Sequence, residues 1–232
     1  MRWSELASHA AVVILAGCVL WTFFLDGRGT SPTRPAPPSE PTLPAQPVSI
    51  SGAASLGHST AKLALVEFSD FECPFCSRFT AEVLPTIKRE YVDSGKVKLV
   101  FMHLPLQDLH PEATKLAFAA ECSNQQGQFW GMHDLLFGRR NPRGSGNDIP
   151  AMAQHLPLDR LQFLRCVQSG APQAIVQRHT ELARRLAISG TPAFLVGRLL
   201  AGGQVQVTKR LSGARPMADF RRALEEGLAN AR

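Results

Sequence analysis

The motif Cys73-Pro74-Phe75-Cys76 constrains the fold more than any other part of this sequence. It follows an apolar run at 62–69 (KLALVEFS) that is typical of a buried strand, and it opens a segment with helical periodicity. Pro74 suits the first position of a helix, where the missing N–H is harmless. The sequence therefore predicts a strand, a tight turn that carries two cysteines, and a helix.

The helix after the motif is predicted from apolar residues that recur every four positions. Its buried face is expected to contain Phe75, Phe79, Val83, Ile87 and Tyr91. Pro85 lies inside this helix and predicts a kink, and Gly95 marks its end. A second strand at 97–104 (VKLVFMHL) would complete a right-handed βαβ unit.

The rest of the domain continues with helical and then strand patterns. Residues 110–188 are helical in several pieces, and strands at 193–197 and 204–211 and a helix at 216–229 follow. The predicted fold class is α/β, a small sheet with a helical insertion over about residues 107–188.

Two further segments precede this domain, which is expected to span 48–232. Residues 10–25 form an uncharged run of 16 residues, short for a membrane span but ample for a secretory signal. Residues 1–26 are therefore predicted to be an uncleaved signal anchor or a signal peptide. Alternatively, Leu15-Ala16-Gly17-Cys18 resembles a lipobox whose cysteine would be acylated. Both interpretations predict an exported domain, tethered to the inner membrane of a bacterial cell envelope.

Residues 27–47 contain seven prolines among 21 residues, together with Ser, Thr and Ala. This composition favours extended polyproline conformation and cannot bury a core, so the segment is predicted to be a semi-rigid spacer. At roughly 3 Å per residue it would hold the domain about 60 Å from the bilayer.

Composition excludes several classes of protein. With 44% apolar residues in 232, the chain is not disordered throughout, and its single long apolar run excludes a multi-span membrane protein. The net charge of +6 is scattered, which favours a solvated surface over nucleic-acid binding. Phosphate loops, GxGxxG motifs and GxSxG elbows are absent from the sequence, so nucleotide enzymes and serine hydrolases have no support.

The spacing of Cys73 and Cys76 favours redox chemistry. Cys73 would lie at the positive end of the helix macrodipole beside free backbone N–H groups, and both favour the thiolate. A lower thiol pKa makes the sulfur a better leaving group and its disulfide more oxidising. A purely structural bridge does not need this placement, and a zinc site would need two further ligands that no second CxxC supplies. No metal and no cofactor are expected.

A second signal, Gly190-Thr191-Pro192, directly precedes a predicted strand about 120 residues after the first motif. With it the layout resembles the thioredoxin superfamily and, through the helical insertion, the DsbA-like thiol:disulfide oxidoreductases. The resemblance covers about 61–228. It is carried by 67–76 (EFSDFECPFC), 129–130 (FW) with 133–134 (HD), and 190–194 (GTPAF).

The resemblance implies roles for individual residues. The Thr191–Pro192 bond would be cis and face the cysteines, leaving backbone free to pair with an extended client; a trans proline beginning an edge strand is the alternative. Glu67 is an acid within an apolar strand, and an isolated buried carboxylate tends to stay protonated. By resemblance, Glu67 would be the proton acceptor for Cys76 during exchange. The alternative for Glu67 is a strand-end carboxylate that reaches solvent.

Cys122 and Cys166 both lie in the predicted insertion. An even number of cysteines in an exported domain argues for pairing, and some relatives with this insertion carry such a bridge. Two independent buried thiols are the alternative, because cysteine packs well in cores. Cys18 is the odd cysteine and lies in the first segment.

The predicted function is thiol–disulfide exchange with client proteins that carry thiols or disulfides, with the oxidase direction favoured. By resemblance, a quinone-linked membrane partner of the DsbB type would reoxidise the pair. Phe75 occupies the position where the strongest oxidases of the family have His, so disulfide isomerase or reductase activity is an alternative. A copper or haem-assembly thiol chaperone is another, for which Met102 and His103 are the candidate neighbours of the pair.

Overall fold

The computed structural model describes residues 43–138 and 149–231, and the strands in this part of the chain form one sheet. In spatial order these strands are β1 (Val48–Ser49), β6 (Gln204–Ser212), β5 (Ala193–Leu200), β3 (Leu63–Ser69), β4 (Val97–His103) and β2 (Ala54–Leu56). β3 and β4 are parallel, as a βαβ unit requires, and the other neighbouring pairs are antiparallel. The sequence did not predict β1 and β2, which are too short to show a periodicity.

β3 lies in the middle of the sheet, and all of its residues are buried. Its two faces pack into different parts of the core: Leu65 lies among the residues of one cluster and Val66 among those of another. A strand that is covered on both faces has apolar residues at nearly every position, which explains the pattern at 62–69. This burial also places the one acid of the strand in the protein interior.

The helix after the motif is divided as Pro85 predicts. α1 (Pro74–Glu82) ends before Val83, and α2 (Leu84–Ile87) and a short π-helical turn (Lys88–Val92) continue the segment. The prediction that Phe75 lies on the buried face of this helix is wrong, because Phe75 is 50% exposed. The inward position in the first turn of α1 belongs to Cys76, three residues before the buried Phe79.

The predicted helical insertion is present between β4 and β5. Its helices in the described residues are α3 (Ala113–Asn124), α4 (Phe129–Phe137), α5 (Ile149–Ala153), α6 (Arg160–Ser169) and α7 (Gln173–Arg185), and α8 (Met217–Asn230) follows β6. Gly170, with φ +66°, is the C-cap residue of α6, and Gly127, with φ +71°, lies in the turn after α3. The Asp159 carboxylate caps the start of α6 by accepting a hydrogen bond from the Gln162 N–H at 2.9 Å.

A disulfide joins Cys122 in α3 to Cys166 in α6, with an S–S distance of 2.06 Å. Both cysteines lie in the buried cluster that the insertion forms with Phe71 and Phe101. The bridge therefore connects two helices inside the insertion.

The predicted signal segment 1–26, Cys18 and residues 27–42 of the spacer lie outside the described residues. Residues 43–47 contain no helix or strand. Across 43–138 and 149–231, none of the helices combines the length and the apolar character that crossing a membrane needs.

Candidate active site

Cys73 and Cys76 lie where the central strand ends and α1 begins. Cys73 is the N-cap residue, with extended backbone angles (φ −69°, ψ 119°), and Pro74 is the first helical residue. Both cysteines are free thiols and both are buried, Cys73 with 4% of its surface exposed and Cys76 with none. The carboxyl end of a parallel strand is the usual position for a site in an α/β fold.

The start of the helix stabilises the Cys73 thiolate. The pKa of Cys73 is lowered from 9.0 to about 6, mainly by a hydrogen bond from the Cys76 thiol. Burial acts in the opposite direction and is second in size, and the Thr191 side chain and the backbone N–H groups of Cys76 and Phe75 make smaller contributions that lower the pKa. At neutral pH, Cys73 is therefore a thiolate.

Cys76 has the opposite character. Its pKa is raised well above the ordinary value by burial and by the negative charges of Cys73 and Glu67. The pair thus consists of an acidic sulfur in a residue that keeps a small exposed surface and a sulfur with a raised pKa in a residue that has none. The two sulfurs therefore have different roles, because only Cys73 has any exposed surface through which a partner can reach it.

Glu67 lies in β3 between Phe101 of β4 and Phe194 of β5, and no part of it is exposed. The alternative of a carboxylate that reaches solvent is therefore wrong. Neither carboxyl oxygen has a hydrogen-bond partner within the described residues, and burial raises the pKa of Glu67 to about 8. At neutral pH this carboxyl group is mostly protonated and can exchange a proton near Cys76.

The Thr191–Pro192 peptide bond is cis and lies beside the pair. The Thr191 carbonyl oxygen is 3.4 Å from the Cys73 sulfur, across 118 residues of sequence. Pro192 is buried, and β5 begins directly after it at Ala193. The structure therefore brings Cys73, Cys76, Glu67, Thr191 and Pro192 together near the end of β3, whereas Cys122 and Cys166 form their disulfide between α3 and α6.

The candidate metal neighbours of the pair are not arranged for that role. Met102 packs with Val66 and Phe68 in a different cluster from the one that contains the two cysteines. His103 Nε2 is instead 2.8 Å from a carboxylate oxygen of Glu121. No cluster of three or more His, Cys, Asp or Glu side chains suited to a metal occurs within 43–138 and 149–231.

Sequence reasoning assigned no role to Asp70 and Glu72, although both lie inside the motif that carries the resemblance. The buried Asp70 carboxylate accepts hydrogen bonds at 2.8 Å from the Glu72 N–H and the Leu106 N–H. An aspartate directly after a buried strand is a signal for a side chain that holds a turn, and this signal was available in the sequence.

The fold and the paired cysteines define a thiol-bearing α/β protein with a helical insertion. The family model described as thioredoxin matches residues 50–210, and the chain belongs to this family. The resemblance to DsbA-like thiol:disulfide oxidoreductases is confirmed by the relatives and solved structures that it matches.

A probable disulfide bond formation protein D from Bacillus anthracis is 28% identical over 164 residues, covering 67% of this chain and 75% of the relative. The crystal structure of alpha-DsbA1 from Wolbachia pipientis matches with a TM-score of 0.68 at 22% identity. The match covers 78% of this chain and 93% of that one. This structural likeness shows that the matched part of the chain has the DsbA fold.

The chain is also similar to part of a transporter from Salinispora tropica. The protein named Na(+)/H(+) antiporter NhaA 3 is 36% identical over 140 residues, which is 60% of this chain and 21% of the antiporter. The chain thus matches about a fifth of the length of the antiporter relatives.

Proposed function

We propose that this chain catalyses thiol–disulfide exchange with client proteins through Cys73 and Cys76, in the oxidase direction, on the outer side of a bacterial inner membrane. The observation that carries the proposal is the asymmetry of the pair. Cys73 has a pKa lowered to about 6 and meets the Thr191 backbone, whereas Cys76 is buried with a raised pKa.

The exchange begins from the Cys73–Cys76 disulfide. A client thiolate attacks the Cys73 sulfur, a new S–S bond forms, and the Cys73–Cys76 bond breaks with its electron pair on Cys76. The second client thiolate then attacks the client sulfur of this mixed disulfide, and Cys73 leaves as a thiolate. The client loses two electrons, and the pair on the enzyme gains them. The low pKa of Cys73 favours this last step, because a more acidic thiol is a better leaving group.

Glu67 supplies and takes back the proton of Cys76. When Cys76 is released, its raised pKa requires a proton, and the protonated Glu67 carboxyl group is the buried acid at hand. When the pair is oxidised again, Cys76 must lose that proton before it can attack, and the Glu67 carboxylate accepts it. A carboxyl group with a pKa of about 8 suits both steps near neutral pH.

The oxidase direction is supported by the stabilised Cys73 thiolate. Stabilising the reduced form of the pair makes its disulfide a stronger oxidant. Phe75 cannot donate a side-chain hydrogen bond as His would, but its backbone N–H still stabilises the thiolate. The Bacillus relative is named for disulfide bond formation, which agrees with this direction.

The Thr191 backbone is the proposed docking point for an extended client segment, since its carbonyl already lies beside Cys73. Reoxidation of the pair by a quinone-linked membrane partner of the DsbB type belongs to the same proposal. So does tethering through residues 1–26 and the spacer 27–47. The uncharged run and the proline-rich composition of these segments support the tether.

The redox equilibrium of Cys73 and Cys76 against glutathione tests the proposed direction. The full chain is equilibrated over a range of ratios of reduced to oxidised glutathione, and the oxidised fraction of the pair is read by peptide mass spectrometry. An oxidase requires a pair that stays reduced until the buffer is strongly oxidising. A pair that is already oxidised in a reducing buffer would replace the oxidase proposal with the reductase alternative.

A further inference from the structure

The turn between β3 and α1 is held by a buried carboxylate that does not touch either sulfur. The side chain of Asp70 has no exposed surface. Its oxygens accept hydrogen bonds, each of 2.8 Å, from the Glu72 N–H, the Leu106 N–H and His110 Nδ1. Burying a charge is costly unless the charge is paired and hydrogen-bonded, and these contacts meet that condition.

These hydrogen bonds connect the turn before Cys73 to the loop after β4. Within the turn, the Cys73 N–H also donates to the Asp70 carbonyl oxygen at 3.1 Å. A second carboxylate strengthens the connection, because Glu72 Oε2 accepts a hydrogen bond of 2.6 Å from the Glu112 N–H. The backbone that leads into Cys73 is therefore fixed from inside the turn and from a neighbouring loop.

α1 itself contains little that would fix its first turn. Cys73 is the N-cap residue but makes no side-chain capping hydrogen bond, and the first turn of α1 has no acidic residue. Yet the Cys73 sulfur needs its partners close by: the pKa of Cys73 is lowered mainly by a hydrogen bond from the Cys76 thiol, and the sulfur lies 3.4 Å from the Thr191 carbonyl oxygen. Hydrogen bonds weaken steeply with distance and poor angles, so the position of the Cys73 backbone decides how well the sulfur is stabilised.

We propose that Asp70 is a positioning residue of the redox pair: the hydrogen bonds that it accepts from Glu72, Leu106 and His110 hold the backbone that leads into Cys73, so that the Cys73 sulfur stays beside Cys76 and the Thr191 backbone. The inference rests on the proposed function in one respect, that Cys73 is the thiol that exchanges. It assigns to that site a residue that acts through the backbone alone.

The direction in which Asp70→Asn shifts the pKa of Cys73 shows whether Asp70 acts by holding the turn or by its negative charge. If Asp70 acted only through its negative charge, replacing it with the neutral Asn would favour the Cys73 thiolate and lower the pKa of Cys73. If Asp70 holds the turn, Asp70→Asn moves the Cys73 sulfur away from the partners that stabilise its thiolate and raises that pKa. The amide of Asn cannot accept all of the hydrogen bonds that the two carboxylate oxygens accept.

The test is the rate at which iodoacetamide alkylates Cys73 in the reduced full chain, measured from pH 4 to pH 9 by peptide mass spectrometry. The wild-type midpoint is expected at pH about 6. Asp70→Asn should raise the midpoint by about one unit, which makes alkylation about fivefold slower at pH 6 and leaves the rate at pH 9 unchanged. Asp108→Asn, an exposed acid in the same loop, is the matched control and should keep the wild-type curve.

Thermal unfolding shows whether Asp70→Asn folds. If it does not, two His110 variants provide a second test of the proposal. His110→Asn keeps an N–H donor near the position of Nδ1, and His110→Ala removes it. We expect His110→Ala to shift the midpoint in the same direction as Asp70→Asn by a smaller amount, and His110→Asn to restore it. Equal midpoints for the two His110 variants would overturn the proposal.

A folded Asp70→Asn variant whose midpoint equals or lies below that of Asp108→Asn would also overturn it. That result would leave the proposed function intact, because alkylation is measured without any client protein. Conversely, a wild-type chain that fails to exchange disulfides would refute the proposed function, whatever the alkylation curves show.

Discussion

The domain contains two pairs of buried cysteines whose chemistry differs. Cys73 and Cys76 are separated by two residues at the start of α1, whereas Cys122 and Cys166 lie inside α3 and α6 and are joined by a disulfide. All four belong to the same buried cluster. Burial therefore does not distinguish the pairs. The difference is position: Cys73 is the N-cap residue of α1, where the positive end of the helix dipole favours a thiolate, whereas Cys122 and Cys166 lie within their helices.

The neighbours of the two pairs differ as well. Glu67 and the Thr191 backbone lie at the first pair, so that a proton carrier and a docking point are beside the sulfurs. The second pair is placed to link two helices of the insertion across 44 residues of sequence. We infer that the first pair is built for exchange and the second for stability, and each of the following predictions tests that contrast.

The largest effect is expected from the cysteines of the first pair. Cys73→Ser should lower disulfide exchange with a client peptide by about a thousandfold, because the sulfur that carries the mixed disulfide is gone and the Cys73–Cys76 disulfide cannot form. Cys76→Ser should instead accumulate mixed disulfides at Cys73, visible on non-reducing gels, because the enzyme thiol that can attack Cys73 and displace a bound client is missing. Trapping by Cys73→Ser with none by Cys76→Ser would reverse the roles of the two sulfurs.

The second pair should affect stability and leave exchange unchanged. The double variant Cys122→Ala with Cys166→Ala should lose about 3–4 kcal/mol of unfolding free energy, because the bridge no longer restricts the unfolded chain. Urea unfolding under oxidising conditions measures this loss. The exchange rate should stay within about twofold of wild type, because the bridge joins α3 to α6 and neither of its cysteines lies in β3, α1 or the Thr191–Pro192 segment. A large loss of exchange activity in a folded double variant would contradict the assignment of exchange to the first pair and stability to the second.

Glu67 should make stability depend on pH. Burial raises the pKa of Glu67 from 4.5 to about 8, so the folded chain keeps a proton that the unfolded chain loses. This contribution is fully present below pH 4.5 and is lost as the pH rises to about 8. Glu67→Gln removes the titration and should stabilise the chain at pH 7 by about 3 kcal/mol relative to wild type.

Urea unfolding of Glu67→Gln at pH 5 and pH 8 checks this expectation, with Glu82→Gln, an exposed carboxylate on α1, as the matched control. Reoxidation of the pair should also be slower in Glu67→Gln near neutral pH, because Cys76 loses its proton acceptor. Parallel pH profiles for the two variants would show that Glu67 titrates as an ordinary carboxylate.

The smallest effect is expected at Phe75, which is exposed beside Cys73. Phe75→His should lower the pKa of Cys73 by about one unit, because an imidazole can donate a hydrogen bond and carry a positive charge. Alkylation at pH 5 would then be about fivefold faster. Phe75→Leu, which adds no donor, should leave the rate unchanged. Equal rates for the two variants would show that this side chain does not reach the sulfur.

Much of the fold could be predicted from local patterns. The apolar run at 62–69, the cysteines before a proline, and the breaks at Gly127 and Gly170 depend on neighbours within a few residues. Backbone hydrogen bonds, helix starts and turns are decided at that range, which is why α1 begins where the motif predicts. Phe75 was misplaced because periodicity alone cannot tell which member of a first turn faces the core.

The sequence by itself determined that two cysteines would lie between a buried strand and a helix, since strand, proline and helix signals follow one another there. Only the tertiary structure decided what surrounds them: the Thr191 carbonyl at Cys73, the loop that donates to Asp70, and the full burial of Glu67. These contacts join residues tens of positions apart. Their effects on pKa arise from desolvation and from directed hydrogen bonds, which exist only after distant segments have packed together.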